Sequence, residues 1–357
     1  MENPTWHNIH PDFQLNQASY TIEELGKFAE SLTEKEAPFQ KSIGDFLSDW
    51  ISDAPTLTVR TSGSTGNPKT IVLKKQHMVN SAWATGAYFG LHPKQQALLC
   101  LPCTGIAGKM MLVRAMVLGL HLDYVEPSST PLANNNKTYD FVAMVPLQVQ
   151  NSIPQMDRVK QLIIGGAPVD SSLRSELVKL PVSAYETYGM TETITHIAVK
   201  KIDRGQANPF ETLPDVSISQ DDRGCLVIEA PKISDQKIIT NDLVELIGQN
   251  QFNWLGRYDS IINSGGIKLV PEKIEEKLSS LIHPRFFVTG LQDDVLGKKL
   301  VLVVEGEPMN ETALLQTIKS SEGISKYEVP KAIYFVKTFD ETSTKKVDRK
   351  KTLEQIG

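Results

Sequence analysis

Cysteine is scarce in this sequence, with only Cys100, Cys103 and Cys225 in 357 residues. An odd and sparse set excludes a disulfide scaffold. Cys100-x-x-Cys103 has neither the second pair a zinc site wants nor the helix a thioredoxin-like motif wants, which leaves two thiols near a strand end. His7 and His10 lack a companion cluster of Cys or carboxylate, so no metal site is read there. Positive charge is not in excess either. The 37 Lys and Arg against 42 Asp and Glu give a net charge of -5, so nothing global draws the chain to nucleic acid or to anionic lipid. Long apolar runs are missing as well: "MMLVRAMVLGLHL" is broken by Arg114 and is shorter than the roughly 20 residues a membrane span needs. No membrane insertion is expected. "MENPTWHNIHPDF" shows no basic segment followed by an apolar core, so no secretory leader is expected and a cytoplasmic location is.

What is present is ordinary globular material, 40% hydrophobic and 22% charged, enough for more than one core. Residues 20 to 50 carry two helical patterns, with Leu25, Ala29 and Leu32 on one face, then Ile43, Phe46, Leu47 and Trp50 on another. Ile22 and Phe28 fall on the first face too. From residue 56, short β-rich runs alternate with helical stretches near 75–90, 108–119 and 170–179. That alternation predicts a layered α/β domain with largely parallel strands. After 195 the texture shifts to short strands, "GCLVIEA", "KIITNDLVELI" and "FNWLGR", a β-rich subdomain. A small α+β domain is expected from Arg257 onward, with Ile274, Leu278, Leu281 and Ile282 sharing one helical face. The expected division is therefore 1–256 and 257–357.

"TVRTSGSTGNPKTIVL" sets a polar, glycine-bearing burst between two strand-like runs. Its spacing, Gly63-x-x-Gly66-x-x-Lys69, is not that of a Walker A loop. Pro68 disfavours helix at Asn67 and the following "TIVL" reads as a strand, so no helix N-terminus awaits a phosphate. The string is a hairpin tip. Its hydroxyls, amides and one ammonium suit a triphosphate, and a plain turn suits them equally well.

Other motifs decide between the two. "TSGSTGNPK" resembles the signature loop of the adenylate-forming (AMP-binding, acyl-CoA synthetase) superfamily, and "YGMTET", "NDLVEL", "GRYDSIINSGGIKLVPEKIE" and "TKKVDRKK" follow in that family's order. The resemblance implies a large α/β domain and a small mobile C-terminal domain. It also implies ATP, magnesium and CoA as reactants and cofactor, with a small carboxylic acid as partner. Such enzymes make an acyl-AMP and then let a thiol attack the activated carbonyl, so cations and oriented donors must offset the charge of an anion approaching a phosphate.

By that resemblance Thr61, Ser62, Gly63, Ser64, Thr65, Gly66 and Lys69 hold the β- and γ-phosphates. Thr191 meets the α-phosphate, Glu192 holds magnesium, and Tyr188 with Gly189 packs against adenine. Asp242 and Arg257 take the ribose, although Asn241 stands where relatives carry glycine. Lys346 is the implied catalytic lysine, with Lys345 replacing the usual glycine before it. Asp259 is the implied hinge, and Gly265 and Gly266 line the implied path of the CoA thiol.

Arg114 interrupts an otherwise apolar helix, so either an anion or an open rim must meet it. "LPCTGIAGKMMLVRAM" resembles the matching segment of the o-succinylbenzoate-CoA ligases of menaquinone synthesis, and "GGAPV" resembles their acyl-pocket loop. This implies that Arg114 binds the unreactive carboxylate of a diacid, with Gly165, Gly166 and Ala167 beside it. The chain departs from that pattern in having Thr104 and Gly105 where many relatives place an aromatic-His pair, and in its short amino-terminal part. Another aryl- or acyl-CoA ligase, an enzyme that loads a carrier protein, and a non-catalytic nucleotide-binding relative stay open.

Overall fold

The computed structural model describes residues 5–60, 69–204, 208–342 and 347–356. Contacts divide the chain into two units, the first made of Met1–Ile218, Ile228–Ile238 and Gly248–Gln251, the second of Ser219–Val227, Ile239–Ile247 and Phe252–Gly357.

The first unit opens with a small hairpin, β1 (Gln14–Leu15) and β2 (Ala18–Ser19), then helices α1 (Ile22–Thr33) and α2 (Pro38–Ile51). Thr21 and Glu24 form a reciprocal capping box that starts α1, and Pro38 sits at the first turn of α2, where its missing N–H is harmless. Leu25, Ala29 and Leu32 are buried as their spacing predicts, but Ile22 is exposed. The antiparallel pair β3 (Thr56–Arg60) and β4 (Thr70–Lys74) brackets the polar loop in the hairpin arrangement expected of it, with Arg60 opposite Thr70.

Helix α3 (Lys75–Phe89) follows at once. Its first residue, Lys75, is fully buried, and Nζ donates to Trp50 O at 2.9 Å and Ser52 O at 2.8 Å. A lysine placed there satisfies carbonyls that the end of α2 leaves open, and the ring of Trp6 covers it at 4.5 Å.

Next come β5 (Gln96–Leu99), α4 (Ile106–Leu118), β6 (His121–Tyr124), β7 (Tyr139–Met144), α5 (Pro146–Asn151), β8 (Val159–Ile164), α6 (Ser171–Leu177) and β9 (Ser183–Gly189). Strands β5 through β9 pair in parallel, in the order β9-β8-β7-β5-β6, with β1 added in parallel at the β6 edge. Strands β10 (His196–Ile202) and β11 (Phe210–Thr212) extend the sheet antiparallel beyond β9. Leu98, Val142, Leu162, Ile164 and Leu173 form part of one continuous core under this sheet. Because β5, β7, β8 and β9 run the same way, residues 100–105, 145, 165–169 and 189–193 all leave at the carboxyl edge, where open α/β sheets bind ligands.

Strands β12 (Ser217–Gln220) and β13 (Cys225–Glu229) lead to the hairpin β14 (Ile238–Leu246) and β15 (Gln251–Arg257). In the second unit β16 (Ile262–Ser264) and β17 (Ile267–Leu269) form another hairpin, followed by α7 (Pro271–Leu278), β18 (Phe286–Asp293), β19 (Gly297–Glu305), α8 (Glu311–Ser320), β20 (Ala332–Val336) and α9 (Arg349–Glu354). The sheet order is β17-β16-β19-β18, with β20 parallel to β19. Ile274, Leu278 and Ile282 are buried against this sheet, and Leu281 packs at the edge of the same cluster, as the helical face predicted.

Candidate active site

In the first unit the implied residues gather on the carboxyl edge of the parallel strands. Gly165 and Gly166 follow β8 directly. A Cβ at Gly165 would stand 2.7 Å from Thr187 Oγ1, and Gly166 sits at φ +86°, so the chain turns closely here only because both side chains are absent. The loop is tied down by residues the sequence did not single out. Glu186 is buried, accepts from Val169 N at 3.2 Å, and is neutralised by Arg174 at 3.0 Å and Lys200 at 2.9 Å. Thr187 Oγ1 donates to Ile164 O at 3.0 Å.

Tyr188 and Gly189 end β9, and Thr191 and Glu192 occupy a single helical turn, Thr191–Thr193. Tyr188 is half-buried, its ring 5.9 Å from that of Phe210. The turn is closed by Ile194, which adopts φ 66° and ψ -59° while Thr195 N donates to Thr193 O at 2.7 Å. This is a three-residue γ-turn, a strained geometry for a β-branched side chain. Thr193 is fully buried and clips it: its Oγ1 accepts from Met190 N at 3.0 Å and lies 2.7 Å from Thr195 O as a donor. The strained turn that directly follows Thr191 and Glu192 is held by these surrounding bonds.

Arg114, on α4, is 1% exposed. Its described neighbours are Thr85 Oγ1, 3.4 Å from Nε, Met111 Sδ, 3.6 Å from Nη1, and His196 Nδ1, 3.4 Å from Nη2. None is an acid. Burial without a carboxylate lowers the guanidinium to about 9. The same burial, with the Arg114 charge beside it, drives His196 well below its usual range, so the imidazole is neutral. Since Arg114 only donates, Nδ1 accepts, and the proton resides on Nε2, facing Thr85 Oγ1 at 3.4 Å. Thr85 in turn donates to Ser81 O at 3.0 Å. His196 was not foreseen as part of this site.

Cys100 and Cys103 are buried free thiols just past the end of β5, each pushed up to about 12 by desolvation. No group of three metal-binding side chains exists among the described residues.

In the second unit Asp242, on β14, is buried and accepts from Trp254 Nε1 at 3.1 Å, with Arg257 Nη1 3.5 Å away. Arg257 also holds both oxygens of Asp259, at 3.1 Å each. Asn241, the departure from the family pattern, lies within the strand, where Arg223 Nη1 donates to its Oδ1 at 2.9 Å. Gly265 and Gly266 form the two-residue link between β16 and β17 at φ 57° and 81°, a type I′ arrangement that by itself explains the pair. Lys69 is exposed just before β4. Thr61, Ser62, Gly63, Ser64, Thr65, Gly66, Lys345 and Lys346 lie outside the described residues, and the last two fall in a segment flanked by a bridge between Glu341 and Val347.

The sequence profile of the AMP-binding enzymes matches residues 11–218. The chain belongs to the AMP-binding enzyme family, and its large α/β portion and small α+β portion are those of the adenylate-forming fold. It is similar to an acyl-CoA synthetase (AMP-forming)/AMP-acid ligase II-like protein from Dyadobacter fermentans, at 38% identity and a TM-score of 0.61 over 93% of this chain and 98% of that one. It is 25% identical over 340 residues to a 2-succinylbenzoate-CoA ligase from Bacillus cytotoxicus, covering 84% of this chain and 70% of that protein. The Bacillus subtilis o-succinylbenzoate coenzyme A synthetase (MenE), solved with ATP and magnesium ion, has the same fold at a TM-score of 0.72 and 20% identity, covering 83% of this chain and 69% of that one. Among the described residues no helix is long and apolar enough to cross a membrane.

Proposed function

We propose that this chain is a cytoplasmic AMP-forming acid-thiol ligase that activates o-succinylbenzoate with ATP and transfers the acyl group to CoA, a step of menaquinone synthesis. The observation that carries the choice of acid is Arg114, a buried guanidinium whose described neighbours include no carboxylate. A cation so placed is destabilising by itself, and an anionic substrate arm offsets that penalty. Two of its five N–H groups have no acceptor among those neighbours. Met111, whose thioether is a weak acceptor on a flexible side chain, is the neighbour most easily displaced by an incoming carboxylate.

In the first half-reaction the other carboxylate attacks the α-phosphorus of ATP, the bond to pyrophosphate breaks, and acyl-AMP forms. Lys346 and Thr191 would offset charge around the α-phosphate, and the hairpin loop with Lys69 would hold the departing pyrophosphate. Glu192, an exposed carboxylate that joins no group of three metal-binding side chains among the described residues, fits a magnesium ion that would take most of its remaining ligands from phosphate and water and neutralise phosphate charge. Asp242 and Arg257 would take the ribose hydroxyls. In the second half-reaction the CoA thiol attacks the acyl carbon and AMP leaves, after rotation near Asp259 exchanges Lys346 for the face bearing Gly265 and Gly266. The division into a domain ending at 256 and one starting at 257 belongs to this same reading.

The match to the compact Dyadobacter fermentans protein over 98% of its length supports a second reading, a ligase of similar chemistry for another aryl or acyl acid. Pyrophosphate release from ATP with a panel of mono- and diacids, with and without CoA, tests both. Release strongest with o-succinylbenzoate and completed by CoA supports the first. Release with every acid except o-succinylbenzoate, or with none, overturns it.

A further inference from the structure

Residues 165–169 cross from β8 toward α6, and the run is pinned at both ends. Gly165 N donates at 3.1 Å to the carbonyl of Met144, the last residue of β7. Gly166, Ala167 and Pro168 between the pins are exposed, and Pro168 has no N–H to give. The far pin is of another kind: the N–H of buried Val169 donates at 3.2 Å to a side chain, Glu186 Oε1.

Glu186 stands on β9 opposite Ile164 and, across the antiparallel pair, opposite Lys200. Strand alternation gives it the face of Ala184, which packs in one core cluster with Val169 and Leu173. A carboxylate on that face needs both oxygens satisfied. They are divided: Oε1 takes the Val169 N–H, and Oε2 takes Arg174 Nη2 at 3.0 Å and Lys200 Nζ at 2.9 Å. Buried ion pairs seldom stabilise a fold more than apolar side chains of the same volume do, so what sets this carboxylate apart is the geometry it fixes. It joins the loop, α6 through Arg174 and β10 through Lys200 at one point.

We propose that Glu186 is a positioning residue for the acid pocket: by holding Val169 N it sets the path of residues 165–167, acting through the loop rather than on the substrate. This rests on the reading of Gly165, Gly166 and Ala167 as acid-binding residues, and not on which acid is activated. The isosteric amide is the informative replacement, because glutamine brings one acceptor oxygen and one NH2 group. Its oxygen can face the Val169 N–H or the two cations, not both, and the NH2 then meets donors on the other side. Two cations outweigh one neutral amide, so the tether to Val169 is what is lost. Lys200 Nζ also lies 4.6 Å from the centre of the Phe210 ring, the neighbour of Tyr188, and the substitution leaves that contact, so the nucleotide side is spared.

The test uses the full chain in two measurements. Amide hydrogen exchange at Val169 is followed by NMR of valine-labelled protein without substrates, and KM and kcat are taken from pyrophosphate release with o-succinylbenzoate and ATP. Glu186→Gln speeds exchange at Val169 about tenfold or more with the other valines unchanged, and raises the KM for the acid about tenfold, the size of one hydrogen bond to a charged group. The KM for ATP and kcat stay within about twofold. A merely structural loss lowers the active fraction, and so kcat, and speeds exchange at many valines while the acid KM holds. Arg174→Gln removes one ion pair but not the acceptor, and leaves both Val169 exchange and the acid KM as in the parent. Glu186→Asp keeps the charge for the cations but is one methylene shorter, and gives the same rise in acid KM if the amide variant folds poorly. Unchanged exchange at Val169 in Glu186→Gln, an unchanged acid KM, or equal losses in Arg174→Gln overturns the proposal. A parent inactive with o-succinylbenzoate contradicts the ligase reading instead, whereas the exchange result, taken without substrate, judges the tether by itself.

Discussion

Arg257 grips Asp259 with two hydrogen bonds of 3.1 Å, from Nε and Nη2 to separate carboxylate oxygens. The same guanidinium reaches toward Asp242, Nη1 standing 3.5 Å from Oδ1. One side chain thus links the implied ribose acid to the implied hinge acid, and its grip holds the Asp259 carboxyl below its ordinary range. The Arg257 side chain is 38% exposed, so these pairs contribute little to stability.

Arg257→Gln is therefore expected to raise the KM for ATP about tenfold while shifting unfolding free energy by no more than about 1 kcal/mol. Steady-state pyrophosphate release and urea unfolding measure the two. An unchanged KM removes Arg257 from the ribose site.

Acid should weaken the fold through His196. Its folded pKa lies well below 6.5, held down by burial and then by Arg114, whereas the unfolded chain protonates it near the ordinary value. The unfolded state binds the extra proton in that window, so stability rises with pH up to about 6.5 and falls below it, by at most about 1.4 kcal/mol per pH unit for one proton. His196→Gln keeps an acceptor and a donor but does not titrate. Urea unfolding at pH values from about 5 to 7 is expected to show a shallower slope in the variant. Identical slopes would place the neutral imidazole elsewhere than in this network.

Thiol chemistry should be silent in the native protein. Cys100, Cys103 and Cys225 are all buried, and burial raises each thiol. A chromogenic disulfide reagent is expected to titrate three thiols in denaturant and essentially none without it, since the thiolate is the reacting form. Rapid modification of one native thiol would contradict the burial.

The parts legible in sequence were those set by local pattern. The alternation of strands and helices from 56 to 189 and the face of α7 follow from periodicity, and GGAP lies at a strand end because its glycines meet a real steric demand. The hairpin β1–β2 was not legible, because its turn is made by Asn16 and Gln17 at φ 48° and 69° with no glycine to announce it. Ile22 fits the helical face by spacing yet emerges into solvent at the first turn of α1. Lys75, Glu186 and His196 escaped notice for one reason: their partners lie far along the chain, Arg114 being 82 positions from His196. Arg114 alone was visible, because a charge inside an apolar helix violates the pattern around it.

The central claim is that Arg114 receives the second carboxylate of the acid. It is tested most directly by kcat/KM for o-succinylbenzoate and for benzoate in the parent and in Arg114→Ala. The account predicts a loss on the order of a hundredfold with the diacid, the size of a hydrogen-bonded charge pair, and little change with benzoate. Equal losses with both acids, or no loss with either, would contradict it.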